Sequence, residues 1–103
     1  MKTYTLKTQW GTTENITLEV TKYATKPHNL AIQAWCDDGP YATLTVNLGK
    51  MLESDKAYVD TNNFPEAESF IKKYRLGKPT GNYAYSGFCS YPLYQFDLKK
   101  LGV

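Results

Sequence analysis

Few residues in this chain of 103 have the types and spacing that catalysis or metal binding requires. The sequence GKPTG at residues 77–81 lacks the GxxxxGK spacing of a phosphate loop and follows a predicted helix, so we interpret it as a helix-exit turn. His28 is the single histidine, and the sequence offers it no evident nucleophile as a partner. Asp37 and Asp38 begin a DDGP segment, which is typical of a turn and lacks the spacing of a calcium loop. We therefore predict a protein that is not an enzyme, with no metal site and no cofactor.

Binding is the chemistry for which the remaining polar and aromatic residues are suited. A short basic cluster precedes a segment rich in aromatic residues, and the predicted binding surface joins the two: Lys72, Lys73, Arg75, Lys78, Tyr83, Tyr85 and Tyr91. Cations beside tyrosines are common at protein interfaces, and tyrosines also stack on single-stranded bases. Two alternatives stay open, because the cations also suit a solvated helix end and the tyrosines also suit the core. For Phe70, Phe88 and Phe96 we predict a core position.

The composition is that of a small globular domain, with 42% hydrophobic and 21% charged residues. The formal net charge of +2 is typical neither of a strongly basic nucleic-acid binder nor of an acidic DNA mimic. Eleven lysines accompany a single arginine, which argues against base-specific reading of DNA, where arginine is the usual donor. The length predicts one domain over residues 1–103.

The N-terminus and the cysteines predict a cytoplasmic protein. No apolar stretch follows the first residues as a signal peptide requires, and no apolar run approaches the ~20 residues of a membrane helix. Cys36 and Cys89 lie far apart in the chain. In a reducing compartment we expect them to be unbridged, buried thiols.

The first half of the chain alternates apolar and polar residues with a period of two, as half-buried strands do. Four such segments lie near residues 3–10, 16–20, 30–36 and 44–48, and residues 57–60 predict a short fifth strand. Turn-forming residues separate the segments at a nearly regular spacing. This pattern predicts an antiparallel meander.

The period changes to that of a helix over residues 64–76. Asn63 is a suitable N-cap, Glu66 completes a capping box, and Gly77 is placed to end the helix. Residues 82–98 predict a loop followed by one strand near residues 93–98. The predicted fold class is α+β, an antiparallel sheet of five or six strands with one amphipathic helix packed on one face.

Four segments of the chain together resemble a family of small proteins of unknown function. They are YATLTVNL (41–48), YVDTNNFPEAESFI (58–71), LGKPTG (76–81) and SGFCSYP (86–92). The resemblance covers residues 41–98, and the N-terminal third is less distinctive. The family is carried by conjugative elements, plasmids and phages of Gram-positive bacteria, and it implies no catalytic residues.

The resemblance implies a genetic setting, and small proteins of mobile elements are often inhibitors of host defence. We therefore expect a binding protein that blocks a host defence nuclease or its RNA complex, in the manner of an anti-CRISPR protein that acts on a type II RNA-guided nuclease. The main alternative is a nucleic-acid-binding accessory protein of element transfer or maintenance. A third reading is an enzyme whose site the sequence does not reveal. None of these three hypotheses involves a membrane partner.

Overall fold

A computed structural model describes residues 2–102 and contains, within that range, eight strands and one helix. The elements in chain order are β1 (Thr3–Lys7), β2 (Thr13–Lys22), β3 (Leu30–Cys36), β4 (Gly39–Thr43), β5 (Thr45–Val46), β6 (Lys56–Val59), α1 (Ala67–Lys73), β7 (Gly77–Ser86) and β8 (Cys89–Phe96). Every strand pair is antiparallel, and the strands form two four-stranded sheets, ordered β1-β2-β3-β4 and β5-β6-β8-β7. The α+β class is confirmed, whereas the predicted single sheet of five or six strands is wrong.

The first sheet follows the predicted alternation. Every second side chain points into the core along β1 and along the first five residues of β3. Ile32 and Ala34 are fully buried, and Ile16 of β2 lies opposite Tyr4 of β1 on the same buried face. Strand β1 ends earlier than predicted, at Lys7. Residues 8–12 close a loop to β2, and this loop leaves Trp10 79% exposed.

The chain passes from the first sheet to the second at Leu44, which is fully buried. The Leu44 N–H donates to the carbonyl of Ile32 at 2.8 Å, and the Leu44 carbonyl accepts from the N–H of Asp60 at 2.9 Å. Leu44 therefore bonds to β3 on one side and to the end of β6 on the other. Of the strand predicted over residues 44–48, only the two-residue β5 forms, and the crossing at Leu44 separates it from β4.

The second sheet contains a long hairpin, β7–β8, where the sequence predicted a loop and one strand. Ser86 pairs with Cys89 across a two-residue turn, in which Gly87 has a φ of +62°. The segment 77–81, predicted as a helix-exit turn, is the beginning of β7. An irregularity between Pro79 and Tyr83 interrupts the ladder, and Thr80 bridges it by donating its hydroxyl to the Leu93 carbonyl at 3.0 Å.

The helix is shorter than predicted, since α1 begins at Ala67 rather than at residue 64. Pro65 disfavours a helical conformation at Phe64, so residues 61–66 form turns instead. The predicted capping box is therefore absent from this part of the structure. The Asn63 backbone N–H and side-chain amide instead donate to the Asp60 carboxylate, at 3.1 and 3.0 Å.

The helix ends at Lys73, and an arginine two residues later has the conformation that the sequence predicted for Gly77. Arg75 has a φ of +54°, the left-handed conformation that terminates many helices. Its N–H donates to the Lys72 carbonyl at 3.2 Å, and the next N–H, that of Leu76, donates to the Ile71 carbonyl at 3.0 Å. Gly77 serves a different purpose in β7, because a Cβ atom there would lie 2.7 Å from the backbone oxygen of Gln95.

The inner side of α1 packs into the core between the two sheets. Phe70 and Ile71 are buried, as predicted, together with Ala67. The Phe70 ring lies edge-on to Tyr4 of β1, with 5.7 Å between the ring centroids. The helix thus covers the core next to β1 and leaves two flanks exposed.

Candidate protein-binding surface

The seven residues of the predicted binding surface do not form one patch. Six of them are exposed, namely Lys72, Lys73, Arg75, Lys78, Tyr83 and Tyr85, whereas Tyr91 is buried. The sequence prediction placed all seven on adjoining surfaces. The structure distributes them over two flanks of α1 and two faces of the second sheet.

Lys73 lies on the flank of α1 that faces β1. It lines a shallow groove of about 260 Å³ together with Thr5, Lys7 and Ser69. Its Nζ atom is 5.3 Å from the centroid of the Tyr74 ring, a distance at which a cation is attracted to the ring face. This contact places the Lys73 ammonium group beside the ring of Tyr74.

The opposite flank of α1 faces β8 and begins with Glu68. The Tyr94 hydroxyl donates to Glu68 Oε1 at 2.7 Å. Burial raises the pKa of Tyr94, and the hydrogen bond to Glu68 and its negative charge raise it further, so this hydroxyl keeps its proton. Lys72 follows Glu68 by four residues and therefore lies on the same flank.

Arg75 and Lys78 meet at a cleft of about 420 Å³ where β7 begins. Gly77, Gln95, Phe96 and Asp97 complete its lining. Lys78 pairs with Gln95, which places it on the face of the sheet opposite to the Tyr94 face. The two cations are therefore close to each other but do not flank the exposed tyrosines on one face.

Tyr83 and Tyr85 lie together near the end of β7, and they are 57% and 80% exposed. Tyr83 pairs with Pro92, so both tyrosines share the face of the sheet that carries Tyr94 and the helix. Between them Ala84 points to the other face, where it pairs with Tyr91. Tyr91 is only 8% exposed and belongs to a second small core with Tyr58 and Leu93. Of the two positions that the sequence left open for Tyr91, core and surface, the structure shows the core.

Phe88 is an exposed aromatic residue that the sequence prediction did not place on the surface. We predicted a core position, but Phe88 occupies the two-residue turn of the β7–β8 hairpin and is fully exposed. Gly87 directly before it is the signal that could have identified the turn. We call Tyr83, Tyr85 and Phe88 the aromatic tip. No charged residue and no histidine occurs in residues 79–96, so the aromatic tip lies within an uncharged segment.

The other residues considered for chemistry have structural partners. His28 is exposed, and its Nδ1 lies 2.9 Å from the Tyr23 carbonyl. Asp37 and Asp38 form the turn between β3 and β4, as predicted. Cys36 and Cys89 are free, half-buried thiols. Within residues 2–102 there is no cluster of His, Cys, Asp or Glu side chains that could hold a metal ion, and no helix long and apolar enough to cross a membrane.

Residues 17–102 match a family model described as "Domain of unknown function (DUF4313)". The match begins within β2, so it extends further toward the N-terminus than the resemblance over residues 41–98. It includes all of the second sheet, the helix and the aromatic tip. No curated protein and no solved structure matches the chain.

Proposed function

We propose that this chain, which belongs to the DUF4313 family, is a protein-binding module that inhibits a host defence nuclease by occupying part of its surface. The aromatic tip is the observation that carries the proposal. Three large aromatic side chains are exposed on one hairpin, with no charge among them. Aromatic residues supply most of the binding energy of many protein interfaces, because they bury a large area at low entropic cost.

The uncharged chain segment that carries the aromatic tip, residues 79–96, favours a protein target over nucleic acid. Proteins that stack tyrosines on single-stranded bases place cations beside them to contact the phosphates. Here Lys78 lies on the other face of the sheet, and Arg75 is at the far end of β7. The basic residues are therefore secondary contacts in this proposal. Lys72 is the basic residue that lies on the same side of the protein as the tyrosines.

The genetic setting suggested by the sequence resemblance supports a nuclease as the target. Proteins of mobile elements meet restriction and RNA-guided nucleases when the element enters a new host. We propose the nuclease of a type II CRISPR system, alone or with its guide RNA, as the first target to test. Inhibition then requires one inhibitor for each nuclease and no turnover.

A plasmid-interference assay tests the proposal directly. Cells that carry a type II CRISPR system receive a targeted plasmid, with and without the gene for this protein. We expect the protein to protect the plasmid. We expect the variant with serine at Tyr83, Tyr85 and Phe88 to lose that protection, because the aromatic contact area is removed.

Trp10→Ser is the matched control, since Trp10 is as exposed as Tyr85 but lies in the β1–β2 loop. Protection should survive this substitution. With purified components, inhibition of cleavage should be complete near equimolar inhibitor. A lack of protection against several such nucleases would remove this target, and equal protection by the serine variant would remove the aromatic tip as the binding site.

A further inference from the structure

Strand β7 forms an edge of the second sheet, and its backbone geometry follows from the hairpin turn. Ser86 and Cys89 flank a two-residue turn, so they form a hydrogen-bonded pair. Hydrogen-bonded and non-hydrogen-bonded pairs alternate along an antiparallel ladder, which makes Ala84 the next residue bonded to β8. The N–H and C=O groups of Tyr83 and Tyr85 therefore point away from β8, toward the open side of the sheet.

The fold covers the comparable edge of the first sheet. There the Tyr74 hydroxyl bonds to both backbone groups of Thr5. Just beyond the end of β1, Glu66 accepts from the N–H of Gln9 at 3.1 Å. For Tyr83 and Tyr85, no part of the chain between residues 2 and 102 supplies an equivalent hydrogen bond. The end of β7 thus presents free backbone donors and acceptors.

The usual devices that prevent edge pairing are confined to the beginning of β7. Lysine, proline and irregular pairing protect many natural edge strands, and here Lys78, Pro79 and the irregularity before Tyr83 provide all three. Residues 82–86, with the sequence NYAYS, contain none of them. In a chain with a net charge of +2, this uncharged segment is a place where two copies can meet without repulsion.

We propose that the open edge of β7 pairs with the same edge of a second copy of this chain. The Tyr83-Ala84-Tyr85 sequence is symmetric about Ala84, so a two-fold axis at Ala84 places Tyr83 opposite Tyr85 of the partner subunit. Both residues have outward backbone groups, and the pairing forms four hydrogen bonds. A two-fold axis at Tyr83 or at Tyr85 would give a less favourable pairing. It would place one tyrosine opposite the irregularity at Gly81 or opposite the Gly87 turn of the partner subunit.

This register also brings the side chains of the two copies together. The four tyrosine rings lie on one face of a continuous eight-stranded sheet, where cross-strand aromatic pairs stabilise each other. Phe88 of one copy comes next to Thr80 and Gly81 of the partner subunit. The pairing uses the backbone edge and leaves the face of the tyrosine rings accessible. It therefore goes beyond the proposed function and combines two aromatic tips in one surface.

Sedimentation analysis of the purified chain tests this inference without any nuclease, so its outcome is independent of the proposed function. A five-residue edge makes a small interface, and we expect reversible dimers to form between about 10 μM and about 1 mM. Tyr85→Pro should weaken the dimer by about tenfold or more relative to Tyr85→Thr. Proline removes the outward N–H, which is used twice in the symmetric dimer, and spares the bonds to β8. Threonine loses the same ring but keeps the N–H.

A charge pair tests the register. The variant Y83K/Y85K places lysine opposite lysine and should be monomeric at low salt. The variant Y83K/Y85E places lysine opposite glutamate of the partner subunit and should dimerise, with an affinity that falls as salt is added. Circular dichroism and thermal unfolding establish that each variant is folded. A wild-type chain that stays monomeric to about 1 mM overturns the inference, as do dimers of equal strength for the proline and threonine variants.

Discussion

The hydroxyl group of Tyr74 forms two hydrogen bonds with the backbone of a single residue, Thr5. It accepts one from the Thr5 N–H at 2.9 Å and donates one to the Thr5 carbonyl at 2.6 Å. Thr5 lies in β1, an edge strand, and these two groups point away from β2. One tyrosine directly after the helix thus occupies the position that a neighbouring strand would take.

Replacing Tyr74 with phenylalanine tests this contact. The ring would keep its packing against Tyr4 and Phe70, but both hydrogen bonds to Thr5 would be lost. We expect the free energy of unfolding to fall by about 1 kcal/mol, a modest loss because water can reach Thr5. Urea denaturation measures the change, and Tyr85→Phe, which removes an exposed hydroxyl, is the control. Equal stability of the two variants would show that the Tyr74 bonds contribute nothing.

Arg75 carries a backbone conformation that suits glycine better. Its φ of +54° lies in the left-handed region, where a Cβ atom costs about 1 kcal/mol. We expect Arg75→Gly to raise the free energy of unfolding by about 0.5–1 kcal/mol, measured by urea denaturation. Lys72→Gly, inside the helix, should lower it by about 1 kcal/mol. A loss of stability in both variants would mean that the arginine side chain matters more than its backbone strain.

Gly77 lies two residues after Arg75, and here a side chain is expected to destabilise the protein. A Cβ atom at this position would lie 2.7 Å from the Gln95 oxygen and 3.2 Å from the Phe96 ring. We expect Gly77→Ala to lower the free energy of unfolding by about 1–3 kcal/mol, because the β7–β8 ladder has to shift. Thermal unfolding of this variant should be compared with that of Asn82→Ala, an exposed position in the same strand. Unchanged thermal stability of Gly77→Ala would show that the ladder can relax.

The fold was predictable from sequence where one face of a strand is buried and the other is exposed. The segment from Leu30 to Cys36 alternates clearly, and β3 has these bounds. In β8 the alternation disappears, since Tyr91 and Tyr94 are buried on opposite faces. The crossing at Leu44 was also unpredictable, because alternation reports the direction of side chains and not the sheet to which a strand belongs.

Two of the three residues of the aromatic tip, Tyr83 and Tyr85, were among the residues singled out from the sequence, but their arrangement was not predictable. Successive residues of a helix point in directions about 100° apart, so Lys72 and Lys73 lie on different flanks of α1. On β7 and β8, the pairing register determines which aromatic residues share a face. Without that register, the buried Tyr91 could not be distinguished from the exposed Tyr83.

The buried side of α1 provides a test of the core. Phe70 is 2% exposed, and its ring contacts those of Tyr74, directly after the helix, and Tyr4 of β1. We expect Phe70→Ala to lower the free energy of unfolding by about 3–5 kcal/mol, through lost burial and the cavity left behind. Lys72→Ala, on the exposed flank of the same helix, should change it by less than about 0.5 kcal/mol. Similar values for the two variants in urea denaturation would contradict this packing of the helix.

The contact between Tyr94 and Glu68 predicts how stability depends on pH. Burial, followed by the hydrogen bond and the charge of Glu68, raises the pKa of Tyr94 above its ordinary value of 10.0. Below pH 10 the folded and unfolded chains both keep this proton, so the Tyr94–Glu68 contact makes its full contribution to the free energy of unfolding. Above pH 10 the unfolded chain releases the proton first, and the free energy of unfolding must fall as pH rises.

We therefore expect the free energy of unfolding to decrease between pH 10 and pH 12, and to decrease less in Tyr94→Phe. Glu68→Gln should reduce the decrease partly, because burial of Tyr94 remains while the charge of Glu68 is gone. Urea denaturation at a series of alkaline pH values measures all three curves. Tyr85→Phe, which removes the hydroxyl of a side chain that is 80% exposed, is the control. Parallel curves for wild type and Tyr94→Phe would show that Tyr94 titrates alike in the folded and unfolded chains.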